Sequence, residues 1–189
     1  MSRALLWLVL VLPLAVQWYR YVGEIIFYGE FVHWTGDQSA RLLIATLAIT
    51  PLRLTFPTTA WSRWLMLHRR DIGLACFIYA AAHTVIYLAY RADIARILDE
   101  ALEAGLATGW VALLVMLPLA LTSNNASVRA MGLRWKRLHR MVYVAAALTF
   151  AHWLLTAFDP TAGAIHLSVL VAFLLLRVWQ VRRHRQRAG

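Results

Sequence analysis

The chain alternates between long apolar runs and short polar segments, and the second of the apolar runs is interrupted by Arg53. A helix needs about 20 mainly apolar residues to cross the hydrocarbon core of a membrane. Flanking Trp, Tyr and Arg side chains extend shorter runs to the interface. We therefore predict an all-α membrane protein, a bundle of six transmembrane helices with spans at about 4–20, 40–56, 72–90, 104–122, 139–158 and 161–180.

The segments outside these spans are short. The first apolar run is followed by Gln17-Trp18-Tyr19-Arg20 and by no small-x-small cleavage site, so we interpret it as an uncleaved span rather than a signal peptide. We predict loops at 21–40, 91–103 and 123–138, with short interfacial helices at 24–31 and 94–104. No internal repeat is visible, and a single domain over 1–189 is expected.

Composition agrees with this pattern, because 61% of the residues are hydrophobic and only 15% are charged. A soluble domain is about 45–50% apolar and about 25% charged, and a chain this short could not bury the excess in water. A soluble globular enzyme is therefore excluded. The single cysteine, Cys76, rules out an intrachain disulfide or thiolate cluster, which leaves nitrogen and oxygen ligands for any metal.

The net charge of +10 is distributed unevenly along the chain. If the N-terminus is cytoplasmic, the only basic side chains that fall on the outer side are Arg20, Arg41, Arg91 and Arg96. Asp71 is then the one acidic residue on the inner side. This is the positive-inside pattern with an even number of spans, so both termini are predicted to be cytoplasmic. The basic charge reports topology, and binding of nucleic acid is not expected.

Two histidines lie well inside predicted spans, where ionisable residues are costly and usually functional. Counted from the inner ends of their helices, His83 is roughly 16 Å and His152 about 20 Å along the axis. Both are thus at similar depth in the outer half of the membrane. Two neutral imidazoles facing each other in a bundle suit six-coordinate haem iron, whereas zinc would need more ligands. The alternative is that each histidine hydrogen-bonds another helix.

His139, at the inner end of the fifth span, is a candidate ligand of a second, inner haem. On an ideal helix it would point about 140° away from His152, so a shared haem column requires a bend. His68 is its possible partner, and the alternative is that His139 is a basic interfacial residue. Five basic side chains border this level: Arg69, Arg70, Arg134, Arg137 and Arg140. They could be membrane anchors, or one or two of them could pair with haem propionates or a flavin phosphate. No chemistry is assigned to His33, His166 and His184.

Several motifs resemble those of the haem-binding membrane subunits of the bacterial periplasmic methionine-sulfoxide reductase system, the MsrQ (YedZ) family. They are HWTG at 33–36, LIATLAITPL at 43–52, RRDIGL at 69–74, LTS at 121–123 and RWKRLH at 134–139, with His83, Tyr143 and His152. Each motif alone is weak, but together they run in order through residues 33–153.

The resemblance implies a ferric-reductase-like transmembrane fold, that of six-helix b-type cytochromes. It further implies that His83, His139 and His152 are the haem-associated histidines and that Arg69 and Arg70 support haem at the cytoplasmic side. One or two haem b groups are expected. FMN is implied by the resemblance alone, and no motif places it.

The function predicted from these features is electron transfer in the inner membrane, because a bis-histidine haem has no open position for a substrate. No Gly-x-Gly-x-x-Gly motif is present, so we expect a separate donor, either a cytoplasmic flavin reductase or the quinone pool. The resemblance implies the acceptor, a periplasmic molybdopterin enzyme that reduces methionine sulfoxide in oxidised proteins. The chain would then be an electron-transfer subunit rather than a free-standing enzyme. The alternatives are a stand-alone ferric or quinone reductase cytochrome b and a proton-coupled transporter that uses His83 and His152.

Overall fold

The computed structural model describes residues 2–188, and at 184, 185, 187 and 188 it describes the backbone alone. The predicted inner-side charges of Arg185 and Arg187 therefore lie outside the described side chains. The described residues are helical almost throughout, without strands. The helices are α1 (Arg3–Val22), α2 (Tyr28–Thr55), α3 (Ala60–Arg91), α4 (Ile94–Ala101), α5 (Ala104–Leu121), α6 (Asn125–Met131), α7 (Leu133–His139), α8 (Val142–Thr156) and α9 (Thr161–Ala188).

Five stretches of the described chain are helical, long and apolar enough to cross a membrane. They are Arg3–Val22, Ala60–Arg91, Ala104–Leu121, Leu133–Thr156 and Thr161–Arg183. This confirms the prediction of an all-helical protein with several helices that are long and apolar enough to span a membrane. Helix α2, with 28 residues, is also long enough, but the charges of Glu30, Asp37, Arg41 and Arg53 set its composition apart from the five.

Helices α2 and α3 both begin about twelve residues before the spans predicted within them. The segment 28–40, predicted as loop, is the first part of α2, and the interfacial helix predicted at 24–31 does not exist separately. The reason is the spacing of Phe31, Thr35, Ser39, Leu43 and Leu47, which are all buried along one face of α2. A helix needs only one buried stripe, so polar residues on its other faces do not end it.

The bundle is assembled around α2, which packs on α3 and α9, while α5 packs on α8. The core includes Leu47, Cys76, Met116, Ala145 and Phe150. The small side chains of α8 allow close approach of its neighbours, as is usual for helices in membranes. Many large apolar side chains of α1 and α9 remain exposed, which is appropriate for surfaces that face lipid rather than water.

Asp71, the single acidic residue predicted for the inner side, joins α1 to α3. Its carboxylate accepts hydrogen bonds from Arg3 (2.8 Å) and Trp7 (3.3 Å), and its other oxygen is 3.1 Å from Nδ1 of His68. Because a carboxylate at this depth is costly unless it is paired, its three partners explain how it is accommodated. They also hold the N-terminal helix against the rest of the bundle.

The short helix α4 lies where an interfacial helix was predicted after α3, although it ends at Ala101. Ile94, Leu98 and Leu102 are exposed along one side, at intervals of four residues. The charged side chains of Arg96 and Glu100 form a hydrogen bond with each other. This amphipathic pattern is typical of a helix lying at a membrane surface.

Candidate functional site

Two cavities lie one above the other inside the bundle. The outer cavity, at the end nearer to α4, has a volume of about 430 Å³, and its walls include His83, Tyr87, Arg91, Trp110 and His152. The inner cavity, nearer to α7, has a volume of about 390 Å³. Met116 belongs to the walls of both cavities and is buried between them. The positions are therefore consistent with a column of two cofactors.

His83 on α3 and His152 on α8 face each other across the outer cavity. Their ring centroids are 6.2 Å apart and their planes are nearly perpendicular, at 86°. Metal–nitrogen bonds to histidine are about 2 Å long. The spacing of the imidazoles therefore leaves room for one iron atom bound by a nitrogen of each ring.

The hydrogen bonds of these two imidazoles select the same nitrogen for a metal. Nδ1 of His83 is 2.8 Å from the carbonyl oxygen of Val32, and Nδ1 of His152 is 2.8 Å from that of Gly105. A carbonyl only accepts, so each Nδ1 must donate its proton. Nε2 then keeps its lone pair, the arrangement usual for metal-binding histidines. Each helix that holds a ligand is thereby tied to a neighbouring helix.

Glycines make room for both imidazoles. A Cβ atom at Gly109 would lie 2.7 Å from Nδ1 of His152, and one at Gly36 would lie 3.2 Å from Nδ1 of His83. Gly105, one turn before Gly109, is equally close to α8, because its Cβ would lie 2.8 Å from Thr156. The sequence reasoning missed these residues, although Gly105 and Gly109 form the Gly-x-x-x-Gly spacing that brings membrane helices into close contact.

The outer cavity is apolar at depth and polar at its mouth. Ala112, Leu113 and Met116 line its inner part. The polar side chains of its wall nearer to α4 include Tyr28, His33, Asp37, Tyr87 and Arg91. No chemistry was expected of His33 from the sequence, yet the structure places it in this wall. An apolar macrocycle with charged substituents at one edge matches this distribution.

The inner cavity is lined by cations. Among its described wall residues there is no Asp or Glu, and the basic side chains are Arg69, Arg70, Lys136, Arg140 and Arg177, together with His139. Arg69 donates to the carbonyl oxygen of Thr46 (3.1 Å), and Arg70 donates to Oδ1 of Asn125 (2.7 Å). Such a concentration of positive charge suits an anionic ligand. Arg134 and Arg137, predicted to border this level, are not part of the wall.

His139 is held by two aromatic and polar contacts. The Trp135 ring stacks on it with centroids 3.9 Å apart, and Nε2 is 3.0 Å from Oγ1 of Thr122. Trp135 in turn donates from Nε1 to the carbonyl oxygen of Thr122 (2.9 Å). The helix is interrupted directly after His139, because α7 ends there and α8 begins at Val142. The interruption lies between His139 and His152, where a shared column would require a bend.

His68 does not face His139. Its Nδ1 is engaged by Asp71, its ring contacts Trp64 at 4.6 Å between centroids, and it belongs to neither cavity wall. The suggestion that His68 is the second ligand of an inner haem is therefore wrong. Among the described side chains, no group of three or more His, Cys, Asp or Glu is arranged to hold a metal ion. The two histidines of the outer site match the number of protein ligands that haem iron takes.

Comparison with known proteins gives a consistent result. The profile of the family described as "Ferric reductase like transmembrane component" matches residues 35–150, which include His83 and His139. A protein of Rhizobium meliloti (strain 1021) named "Protein-methionine-sulfoxide reductase heme-binding subunit MsrQ" is 36% identical over 159 residues, covering 82% of this chain and 70% of the relative. The proteins of that name from Brucella ovis and Brucella suis are 36% identical over 156 residues, covering 81% of this chain and 68% of each relative. No solved structure matches the chain.

Proposed function

Because this chain belongs to the ferric-reductase-like transmembrane family, and within it to the MsrQ haem-binding subunits, we propose that it is a b-type cytochrome that transfers electrons across the bacterial inner membrane. The observation that carries the proposal is the pair formed by His83 and His152. Their 6.2 Å centroid spacing and carbonyl-bound Nδ1 atoms leave two Nε2 lone pairs for one iron.

His83 and His152 would hold haem b through their Nε2 atoms. When bound between two protein ligands, haem would supply one-electron transfer rather than substrate chemistry. The residues of this chain then have three tasks. The carbonyl oxygens of Val32 and Gly105 orient the imidazoles. Gly36 and Gly109 leave space for them, and the surrounding apolar side chains exclude water.

The inner cavity would hold a second, anionic cofactor on the cytoplasmic side. His139 would be one ligand of a second haem, through Nε2 only if the contact of that atom with Thr122 were given up. Arg69 and Arg70 lie in the same wall to pair with carboxylates. FMN, implied by the family, would use the same cations for its phosphate. The described wall offers no second histidine opposite His139, so an inner haem would have one histidine ligand from this level.

His139→Ala is expected to reduce the occupancy of the inner cofactor at least about tenfold, since loss of even an outer-shell partner costs about 10–100-fold in metal affinity. The outer haem should remain, because His83 and His152 do not contact His139. Haem and flavin content per protein, measured on the purified variant, separates the two levels. The matched control is His166→Ala, since His166 belongs to neither cavity wall. Unchanged haem and flavin content in His139→Ala would contradict an inner site at this residue.

The partners follow from the family and from the topology. We propose that electrons come from a cytoplasmic flavin reductase or from the quinone pool. They would pass to a periplasmic molybdopterin methionine-sulfoxide reductase, where oxidised proteins are repaired. The chain itself would serve as the electron-transfer subunit. Lipid would contact the exposed apolar side chains of α1 and α9.

The proposed topology has six spans, namely the five apolar helical stretches and α2, with both termini in the cytoplasm. A green fluorescent protein fused to the C-terminus should be fluorescent, and an alkaline phosphatase fused there should be inactive. Fusions truncated after α4 should behave in the opposite way, because the basic side chains are concentrated at the other end of the bundle. An active phosphatase at the C-terminus would reverse the orientation and exchange the two cofactor levels.

A reduced-minus-oxidised visible spectrum of the purified protein tests the central proposal. A bis-histidine haem b should give sharp bands in the visible region, and metal analysis should find iron. A haem-free protein would contradict the cytochrome and favour the transporter that uses His83 and His152. If the protein contains haem, co-purification with a periplasmic molybdoenzyme would distinguish the proposed subunit from a stand-alone ferric or quinone reductase.

A further inference from the structure

One face of α3 carries the axial ligand and a cation in register. His83, Tyr87 and Arg91 follow one another at intervals of four residues, and all three line the outer cavity. Residues four apart lie on the same side of a helix. Arg91 is the last residue of α3, before Ala92 ends the helix in a left-handed conformation (φ 48°). The cation is thus placed at the mouth of the cavity, about 12 Å along the axis from His83.

Arg91 is the one Arg or Lys among the described wall residues of the outer cavity. Asp37, in the same wall, is paired with Arg41 at 2.5 Å. The inner cavity, by contrast, is lined by five cations. A ligand with two negative charges in the outer cavity can therefore pair with one permanently positive wall side chain, Arg91. This side chain lies at the end of the cavity nearer to α4.

The guanidinium of Arg91 is incompletely satisfied. Its Nε is buried and makes no hydrogen bond, although it lies 3.1 Å from Oε2 of Glu100 in an ion pair. Glu100 already accepts well-formed hydrogen bonds from Tyr87 (2.9 Å) and Arg96 (2.9 Å). Hydrogen bonds from Arg96 and Tyr87 hold the pKa of Glu100 below its ordinary value, so it is ionised at neutral pH. Glu100 thus holds Arg91 in place through the ion pair at Nε.

We propose that Arg91 binds the propionate carboxylates of the haem held between His83 and His152, with Glu100 of α4 positioning its guanidinium. The inference rests on the proposed haem site. An Arg–carboxylate pair in a partly buried site is among the stronger charge-assisted contacts, and the buried Nε of Arg91 has an ion pair but makes no hydrogen bond among the described residues. The pair between Arg91 and the propionates would also orient the haem, with its carboxylates toward α4 and its apolar edge toward Met116.

A charge beside the haem affects its reduction potential. The positive guanidinium favours the reduced state, which carries one electron more, and the carboxylate of Glu100 opposes this effect. We therefore expect Arg91→Gln to shift the equilibrium toward oxidised haem about tenfold, or about 59 mV for one electron. Glu100→Gln should shift it in the opposite direction. If Arg91 and Glu100 had purely structural roles, their Gln variants would not shift the reduction potential in opposite directions.

The test uses purified holoprotein, with potentiometric titration and resonance Raman spectroscopy of the propionate-bending band. Arg91→Gln should lower the potential and move the band to the frequency of weaker hydrogen bonding. The matched control is Arg96→Gln, which removes the same charge from the same carboxylate but lies outside the cavity, with its side chain 61% exposed. It should leave the Raman band unchanged and move the potential less than Arg91→Gln does.

The possible outcomes are distinct. An unchanged propionate band in Arg91→Gln, or an equal response in Arg96→Gln, would overturn the inference while leaving the haem site intact. If Arg91→Gln retains no haem, Arg91→Lys decides: retained haem supports a requirement for charge at this position, and its loss there too would overturn the role. A wild-type protein without haem would instead defeat the proposed function, and this inference with it.

Discussion

His83→Ala or His152→Ala is expected to abolish haem binding in the outer cavity. Each substitution removes one axial imidazole and leaves a carbonyl oxygen, of Val32 or of Gly105, without its partner. An unsatisfied buried polar group alone costs about 1–3 kcal/mol. The loss of a metal bond adds to this cost. Electron transfer to any outer acceptor should be lost together with the haem.

Haem per protein, from the pyridine haemochrome of purified variants, measures this effect directly. His166→Ala is the matched control, because His166 is also a histidine near the outer end of its helix but lines neither cavity. It should bind haem like the wild type. Full haem retention in His83→Ala would refute the pairing of His83 with His152.

Gly109→Ala is expected to have an effect nearly as large, although it adds only a methyl group. The added Cβ would lie 2.7 Å from Nδ1 of His152, inside the distance at which atoms can coexist. Overpacking of this kind costs about 1–3 kcal/mol. The imidazole can escape only by giving up its bond to Gly105. Haem occupancy should therefore fall, and the remaining haem should be less symmetrically ligated.

The helix propensity of the substitution works in the opposite direction, which makes the test specific. Replacing a helical Gly by Ala should stabilise the helix by about 1 kcal/mol, so any loss of haem must come from the contact with His152. Gly36→Ala should show a smaller loss, since its Cβ would be 3.2 Å from His83. Gly29→Ala should show none, because nothing lies within 4 Å of its added atom. Equal haem content in all three variants would contradict the steric role.

The fold was largely predictable, and the errors have one cause. Apolar runs identified α1, α3, α5, α8 and α9 as long helices, and the motifs at 33–153 led to a family that the comparisons confirmed. The early starts of α2 and α3 do not show in the apolar runs, because charged residues precede the uncharged part of each helix. Helices at the membrane surface continue through charged residues when one face remains buried.

The candidate site was predictable in depth but not in detail. The positions of His83 and His152 along their helices indicated a pair at one level, since the helical rise is constant. Nothing in the sequence identified Val32 and Gly105 as the acceptors for their Nδ1 atoms. His68 illustrates the same limit, because its sequence position suited a ligand while Asp71 engages its ring.

The sequence by itself determined that this chain is a helical membrane protein with histidines at matched depth. Lipid cannot hydrogen-bond to the backbone, so apolar segments of this length must form helices, and the rise per residue sets the depth of each side chain. Only the tertiary structure decided how each helix is rotated about its axis, and therefore which side chains meet. In the tertiary structure Gly109 packs against His152, and the helix is interrupted between His139 and Val142. The cations of α3, α7 and α9 line one cavity. Those outcomes depend on packing between residues far apart in the chain, which local patterns do not encode.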